Sequence, residues 1–132
     1  MGEANPASRG ARAKIAGMSA MNDPAVPVQR QLDAYNARNL EEFVAQYTDD
    51  VRAFMLPSTE PMSVGKAAFA EHYRKNRFNL PALHAELVNR MVFGNKVIDQ
   101  EIVTGVGPEP MHTAAIYEVR DGLICTVWFV RG

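Results

Sequence analysis

The sequence has a single cysteine, Cys125, in 132 residues. One thiol excludes an intrachain disulfide framework and any multi-cysteine metal cluster. Charge of one sign is also missing. Fourteen Lys and Arg oppose fifteen Asp and Glu, for a formal net charge of −1. So even a balance gives no electrostatic footprint for nucleic acid or for an anionic membrane surface. No apolar run is long enough for a membrane span or a signal-peptide core. There is no internal repeat and no low-complexity tract. The histidines His72, His84 and His112 show no metal-ligand spacing with one another or with an acid, so no metal site is expected. No Ser or Cys sits in the context of a nucleophile. These absences point to a small domain in a reducing, cytoplasmic compartment.

Hydrophobic residues make up 47% of the chain, which suits one domain with a modest core. Residues 1–24 are rich in Ala, Gly, Ser, Asn and Met and read as a flexible leader. The single domain is expected over 25–132. Its first helix begins between Asp23 and Pro27 and places Val28, Gln31, Leu32 and Tyr35 on one face. Asn36 and Asn39 break it. Asn39 with Glu42 forms a capping-box arrangement for a second helix, whose buried face reads Leu40, Phe43, Val44 and Tyr47. A strand over 51–57 follows, then a loop over 58–64. A third helix over 65–77 turns Phe69 and Tyr73 toward the core. The rest is strand, with tight hairpins at Gly94-Asn95 and Asp121-Gly122. The order is α-α-β-α-β-β-β-β, an α+β architecture with helices on one face of a sheet.

Counting outward from Asp121-Gly122 pairs Val119 with Ile124, Tyr117 with Thr126 and Ala115 with Trp128. The other side carries Ile116 with Val127 and Ala114 with Phe129. Both sides are largely apolar, and a second apolar face needs a second cover. A homodimer through the face bearing Ile116, Val127 and Phe129 is expected. In the Gly94-Asn95 hairpin, hydropathy turns Leu87, Asn89, Met91, Ile98, Gln100 and Ile102 inward. Asp99 and Glu101 then face out, and Arg90 opposite Asp99 is a surface ion pair.

The runs Tyr35-Asn36-Ala37-Arg38-Asn39-Leu40 and Tyr47-Thr48-Asp49-Asp50-Val51, the isolated Gly65, and the stretch from Ile116 to Ile124 resemble the NTF2-like superfamily. Within it the likeness is to the SnoaL-like and ketosteroid-isomerase-like branch. The resemblance covers about residues 25–132. It implies a cystatin-like cone, in which three helices close a curved, mostly antiparallel sheet around a deep, largely apolar pocket. It implies a small hydrophobic or aromatic carbonyl compound as partner and no cofactor. Members include isomerases, polyketide cyclases, dehydratases and proteins that only bind. The ketosteroid isomerase base position falls on Met55, or on Leu56. Its oxyanion tyrosine falls on Gln31 and its partner acid near Ala115. All three catalytic groups are missing, so the usual 3-ketosteroid isomerisation is not expected, although the Gln31 amide could bind a ligand carbonyl. Tyr47 and Tyr73 match supporting tyrosines of that site.

The expected pocket residues are Gln31, Tyr35, Tyr47, Met55, Tyr73, Ala115, Tyr117 and Trp128, with Tyr117 and Trp128 as an aromatic wall. The candidate catalytic group is Glu101. Counting along the resemblance turns Asp99 and Glu101 inward, against the hydropathy reading. An inward Glu101 would have its pKa raised by burial and would serve as a general acid or base. The near-neutral net charge favours an uncharged, apolar ligand. The alternatives are a protein that binds without turnover and a dimeric interaction module with a filled pocket.

Overall fold

The computed structural model describes residues 23–132. The expected leader lies outside the described residues, apart from Asp23 and Pro24. Helix α1 (Ala25–Asn36) follows Asp23, whose carboxylate accepts from the Ala25 amide at 2.9 Å. Its buried face includes Val28, Gln31, Leu32 and Tyr35. Asn36 ends the helix and bonds an edge strand. Its amide donates to the Ala85 carbonyl at 2.9 Å, and its side-chain oxygen accepts from the Ala85 amide at 2.7 Å. Helix α2 (Leu40–Val44) is capped by Asn39, which accepts from the Glu42 amide at 3.1 Å.

Strand β1 (Tyr47–Met55) begins four residues earlier than expected. Tyr47 pairs with Ile124, and the Ile124 amide donates to the Gln46 carbonyl, so the sheet claims these residues from the helix. The expected loop at 58–64 contains a short edge strand, β2 (Pro61–Val64), antiparallel to β1. Proline is tolerated there because an edge position needs no ladder donor. Gly65, at φ +92°, turns the chain into α3 (Lys66–Asn76). Then come β3 (His84–Phe93), β4 (Lys96–Thr104), β5 (Met111–Arg120) and β6 (Leu123–Arg131). The six strands form one sheet in the order β2-β1-β6-β5-β4-β3. All pairs are antiparallel except β1 with β6, which run parallel. The helices cover one face. The core between them includes Val28, Phe43, Tyr47, Val51, Phe69, Val97 and Val127.

Two bulges change which side chains point inward. The pairing of β5 with β6 runs Val119–Ile124 and then Glu118–Thr126, leaving Cys125 as an extra residue. A one-residue slip exchanges the faces of everything beyond it. Ala115 therefore pairs with Phe129, Ile116 with Trp128 and Tyr117 with Val127. This corrects the expected dimer face. Val127 is fully buried beneath the helices and Phe129 packs against the same core, while Ile116 stays on the far face. It also corrects the aromatic wall. Trp128 lies on the far face, stacked on Phe54 with ring centroids 6.1 Å apart. The second bulge leaves Val88 without a partner between Leu87–Glu101 and Asn89–Gln100.

Candidate functional site

A cavity of about 340 Å³ opens between the helices and the inner face of the sheet. Helix α1 supplies Gln31, Leu32 and Tyr35 to its lining, and α3 supplies His72, Tyr73 and Asn76, with Arg77 just beyond. The sheet supplies Met55, Glu101, Val103, Thr113, Tyr117 and Phe129 among others. Of the expected residues, Gln31, Tyr35, Met55, Tyr73 and Tyr117 line it. Tyr47 is buried behind Gln31, and Ala115 is buried without reaching the lining. Trp128 is on the opposite face.

Gln31 anchors a buried polar chain. Its Nε2 donates to the Val28 carbonyl at 3.0 Å and to the Tyr117 hydroxyl at 3.2 Å. Its Oε1 accepts from the Tyr47 hydroxyl at 3.1 Å. Both amide protons are therefore used inside the protein. Tyr117 accepts from Gln31, so its own O–H proton is left to donate elsewhere. Burial pushes the Tyr47 and Tyr117 phenols well above their ordinary pKa, with Tyr73 the next cause for Tyr47 and Glu101 for Tyr117. Tyr35 is pushed up to about 12, mostly by burial, with the Arg77 guanidinium opposing.

The acids are where hydropathy did not put them. Asp99 is fully buried and Glu101 is 9% exposed. Asp99 is not a surface partner of Arg90. The guanidinium grips it with two bonds, Nε to Oδ1 at 2.7 Å and Nη2 to Oδ2 at 2.9 Å. A third Arg90 nitrogen donates to the Gln29 side chain at 2.9 Å. The inward turn of Asp99 is compensated because Arg90 comes across from β3, past the Val88 bulge, to neutralise it. Glu101 has no such partner. Its Oε2 is buried and unbonded. Burial raises its pKa to about 7, the Asp99 charge adds to the rise, and Arg90 opposes it. A carboxyl that changes protonation near neutrality, inside a cavity, has the properties of a general acid or base.

A family profile described as the SnoaL-like domain matches residues 28–127. The chain belongs to the SnoaL-like domain family. A search of curated proteins found no match. Solved structures agree on the fold of this SnoaL-like domain. An uncharacterised cystatin-fold protein from Novosphingobium aromaticivorans superimposes with a TM-score of 0.75 at 23% identity, over 82% of this chain and 97% of that one. A candidate ketosteroid isomerase from Kribbella flavida gives 0.73 at 22% identity, over 87% and 82%. A candidate SnoaL-like polyketide cyclase from Jannaschia gives 0.72 at 13% identity, over 84% and 86%. At such identities the likeness shows the fold, an NTF2-like α+β sheet with, among the described residues, three helices.

The SnoaL-like domain has Met55 on the cavity side of β1, where the resemblance would have put a base, and Gln31 in place of the oxyanion tyrosine. Its ionisable interior group comes from β4 instead. Among the described residues no three His, Cys, Asp or Glu side chains gather as a metal site. No helix among them is long and apolar enough to cross a membrane. Sequence reading also passed over Arg131, Met62 and Thr113 as lining residues. Each lies near a strand end, where periodicity carries the least information.

Proposed function

We propose that this SnoaL-like domain binds a small aromatic or largely apolar carbonyl compound and moves a proton on it without a cofactor. Glu101 is the acid–base group. Tyr117, with a free hydroxyl proton, donates to the substrate oxygen as negative charge develops there. The isomerase, cyclase and dehydratase types all need such a proton transfer next to a carbonyl. One observation carries the reading: a buried carboxyl with an unbonded oxygen and a pKa of about 7 faces a 340 Å³ cavity. The test is exchange of the α-protons of 2-tetralone in D2O, followed by NMR. The domain should accelerate exchange, and Glu101→Gln should remove about 100-fold or more of that acceleration. Acceleration unchanged by E101Q would discard Glu101 as the base.

Met55 on β1 favours a second reading, a protein that holds the ligand without turning it over. Saturable binding of 2-tetralone without any exchange would select it.

The far face of the sheet supports a homodimer. Phe54, Trp128, Ile116, Ile98 and Met91 are neighbours in register across five strands, forming one apolar row. None of the three helices covers it. A second copy of the same row would bury it symmetrically.

A further inference from the structure

The cavity is not uniformly apolar. Besides Gln31, the nitrogen-bearing side chains of His72, Asn76, Arg77 and Arg131 share its lining. Glu101 is the one carboxyl among the lining residues, and it is the group that tends to hold its proton. Arg77 is half-buried, and its Nη1 donates to the Asn76 carbonyl at 2.8 Å. Among the described residues no carboxylate lies within ion-pair distance of Arg77 or Arg131. Their neighbours on α3 differ. Arg74 and Lys75 are exposed and already paired with Glu71, at 2.6 Å and 3.5 Å.

A partly desolvated guanidinium without an anionic partner keeps strong donors beyond the one spent on the Asn76 carbonyl. His72, in the same lining, is a donor as well. Asn76 Nδ2 donates to the His72 carbonyl at 2.9 Å and lies 3.3 Å from His72 Nδ1. That contact makes Nδ1 an acceptor, so a neutral His72 carries its proton on Nε2 and can only donate there. Arg77 and Glu101 both act on the Tyr35 and Tyr73 phenols. Tyr35 and Tyr73 line the cavity together with both groups.

Resting on the reading above, that the cavity takes an aromatic carbonyl compound, we propose that its ligand is an amphiphilic monoanion, an aromatic or polycyclic carboxylic acid. Its carboxylate pairs with Arg77, with His72 and Arg131 beside it. Its apolar body lies against Tyr35, Tyr73 and Phe129. Its reacting end reaches Glu101. The net charge of the chain favoured an uncharged ligand, but a whole-chain sum does not report the local excess of donors in one cavity.

The test compares 2-naphthoate with 2-naphthamide, nearly the same shape with and without the charge, by calorimetric titration at pH about 6, where Glu101 is mainly protonated. The intact domain should bind the acid about ten-fold or more tightly than the amide. Arg77→Met should reduce that ratio to near one while keeping the amide's affinity. Arg74→Gln, which removes the same charge from an exposed position about one helical turn earlier, should leave the ratio unchanged. If R77M also loses the amide, Arg77→Gln takes its place with the same expectation. Equal affinities for acid and amide in the intact domain would overturn the proposal and leave the cavity reading standing. A ratio that survives loss of Arg77 would overturn it too. Failure of both probes to bind would overturn the cavity reading and this proposal together.

Discussion

Glu101 holds a proton that an exposed glutamate would have released. Desolvation is the main cause, and the fixed charge of Asp99 adds to it. The consequence for stability has a definite sign. Its pKa is raised from an ordinary 4.5 to about 7 on folding, so the folded state binds this proton more tightly than the unfolded chain does. The stabilisation is complete below pH about 4.5 and is lost as pH rises through about 7. Relative to Glu101→Gln, the wild-type domain should therefore lose on the order of 3 kcal/mol across that window and then level off. Paired denaturant titrations of the two proteins at several pH values would measure it. A constant difference between them would show that Glu101 titrates normally. The sequence signalled that Asp99 and Glu101 share a face, because alternation in a strand guarantees it. Hydropathy turned that face outward and the family resemblance turned it inward, as it stands. Hydropathy failed because the rule that charges point outward breaks down when a partner of opposite sign can reach across from the next strand. Arg90 is that partner.

At the scale of elements, turns and caps were legible and register was not. Asn39 with Glu42, Gly94-Asn95 and Asp121-Gly122 each have a local backbone requirement that their residue types meet, and each stands where expected. A bulge has no such requirement. Cys125 and Val88 are ordinary strand residues, and nothing in their chemistry marks them as extra. Yet each reverses the face of the strand beyond it, which moved Trp128 out of the candidate site and Phe129 into it. The start of β1 was misplaced for a related reason. Tyr47 continues the helical spacing of Leu40, Phe43 and Val44, but its pairing with Ile124 comes from far along the chain. Gly105 shows an element-level constraint that is easily tested. It sits at φ +87°, and a Cβ there would lie 2.2 Å from the Ala82 carbonyl oxygen and 2.7 Å from the Leu83 nitrogen. Both are backbone atoms that cannot step aside without moving the approach to β3. Gly105→Ala should cost roughly 2 kcal/mol or more in chemical denaturation. A loss below about 0.5 kcal/mol would mean that this crossing of loops is soft.

For the whole molecule, the sheet has two apolar faces with different fates. One is closed by helices around the cavity. The other carries the row from Phe54 to Met91, with Arg52, Lys96 and Glu118 in the adjacent row. On the dimer reading, Trp128→Glu should convert a two-chain species to a one-chain species in light scattering while leaving the cavity able to bind. A wild-type protein that scatters as one chain at micromolar concentration would end that reading. Two apolar faces were legible in the composition of β5 and β6. The assignment of residues to each face was not, since it hung on the single extra residue at Cys125.

The parallel pairing of β1 with β6 has a consequence for how the chain assembles. β6 follows every other strand in the sequence, yet it sits in the interior of the sheet, joining the β1–β2 pair to the β3–β4–β5 meander. Until β6 is synthesised, the two parts have no strand between them, and the β1 and β5 edges that it will join are open to other chains. The hairpin of β5 and β6 can form locally, but the join to β1 spans most of the domain in sequence and forms slowly. Folding during translation would therefore leave the β1 edge open for most of the time the domain takes to emerge, and the β5 edge open until β6 follows, with aggregation risk concentrated on those edges.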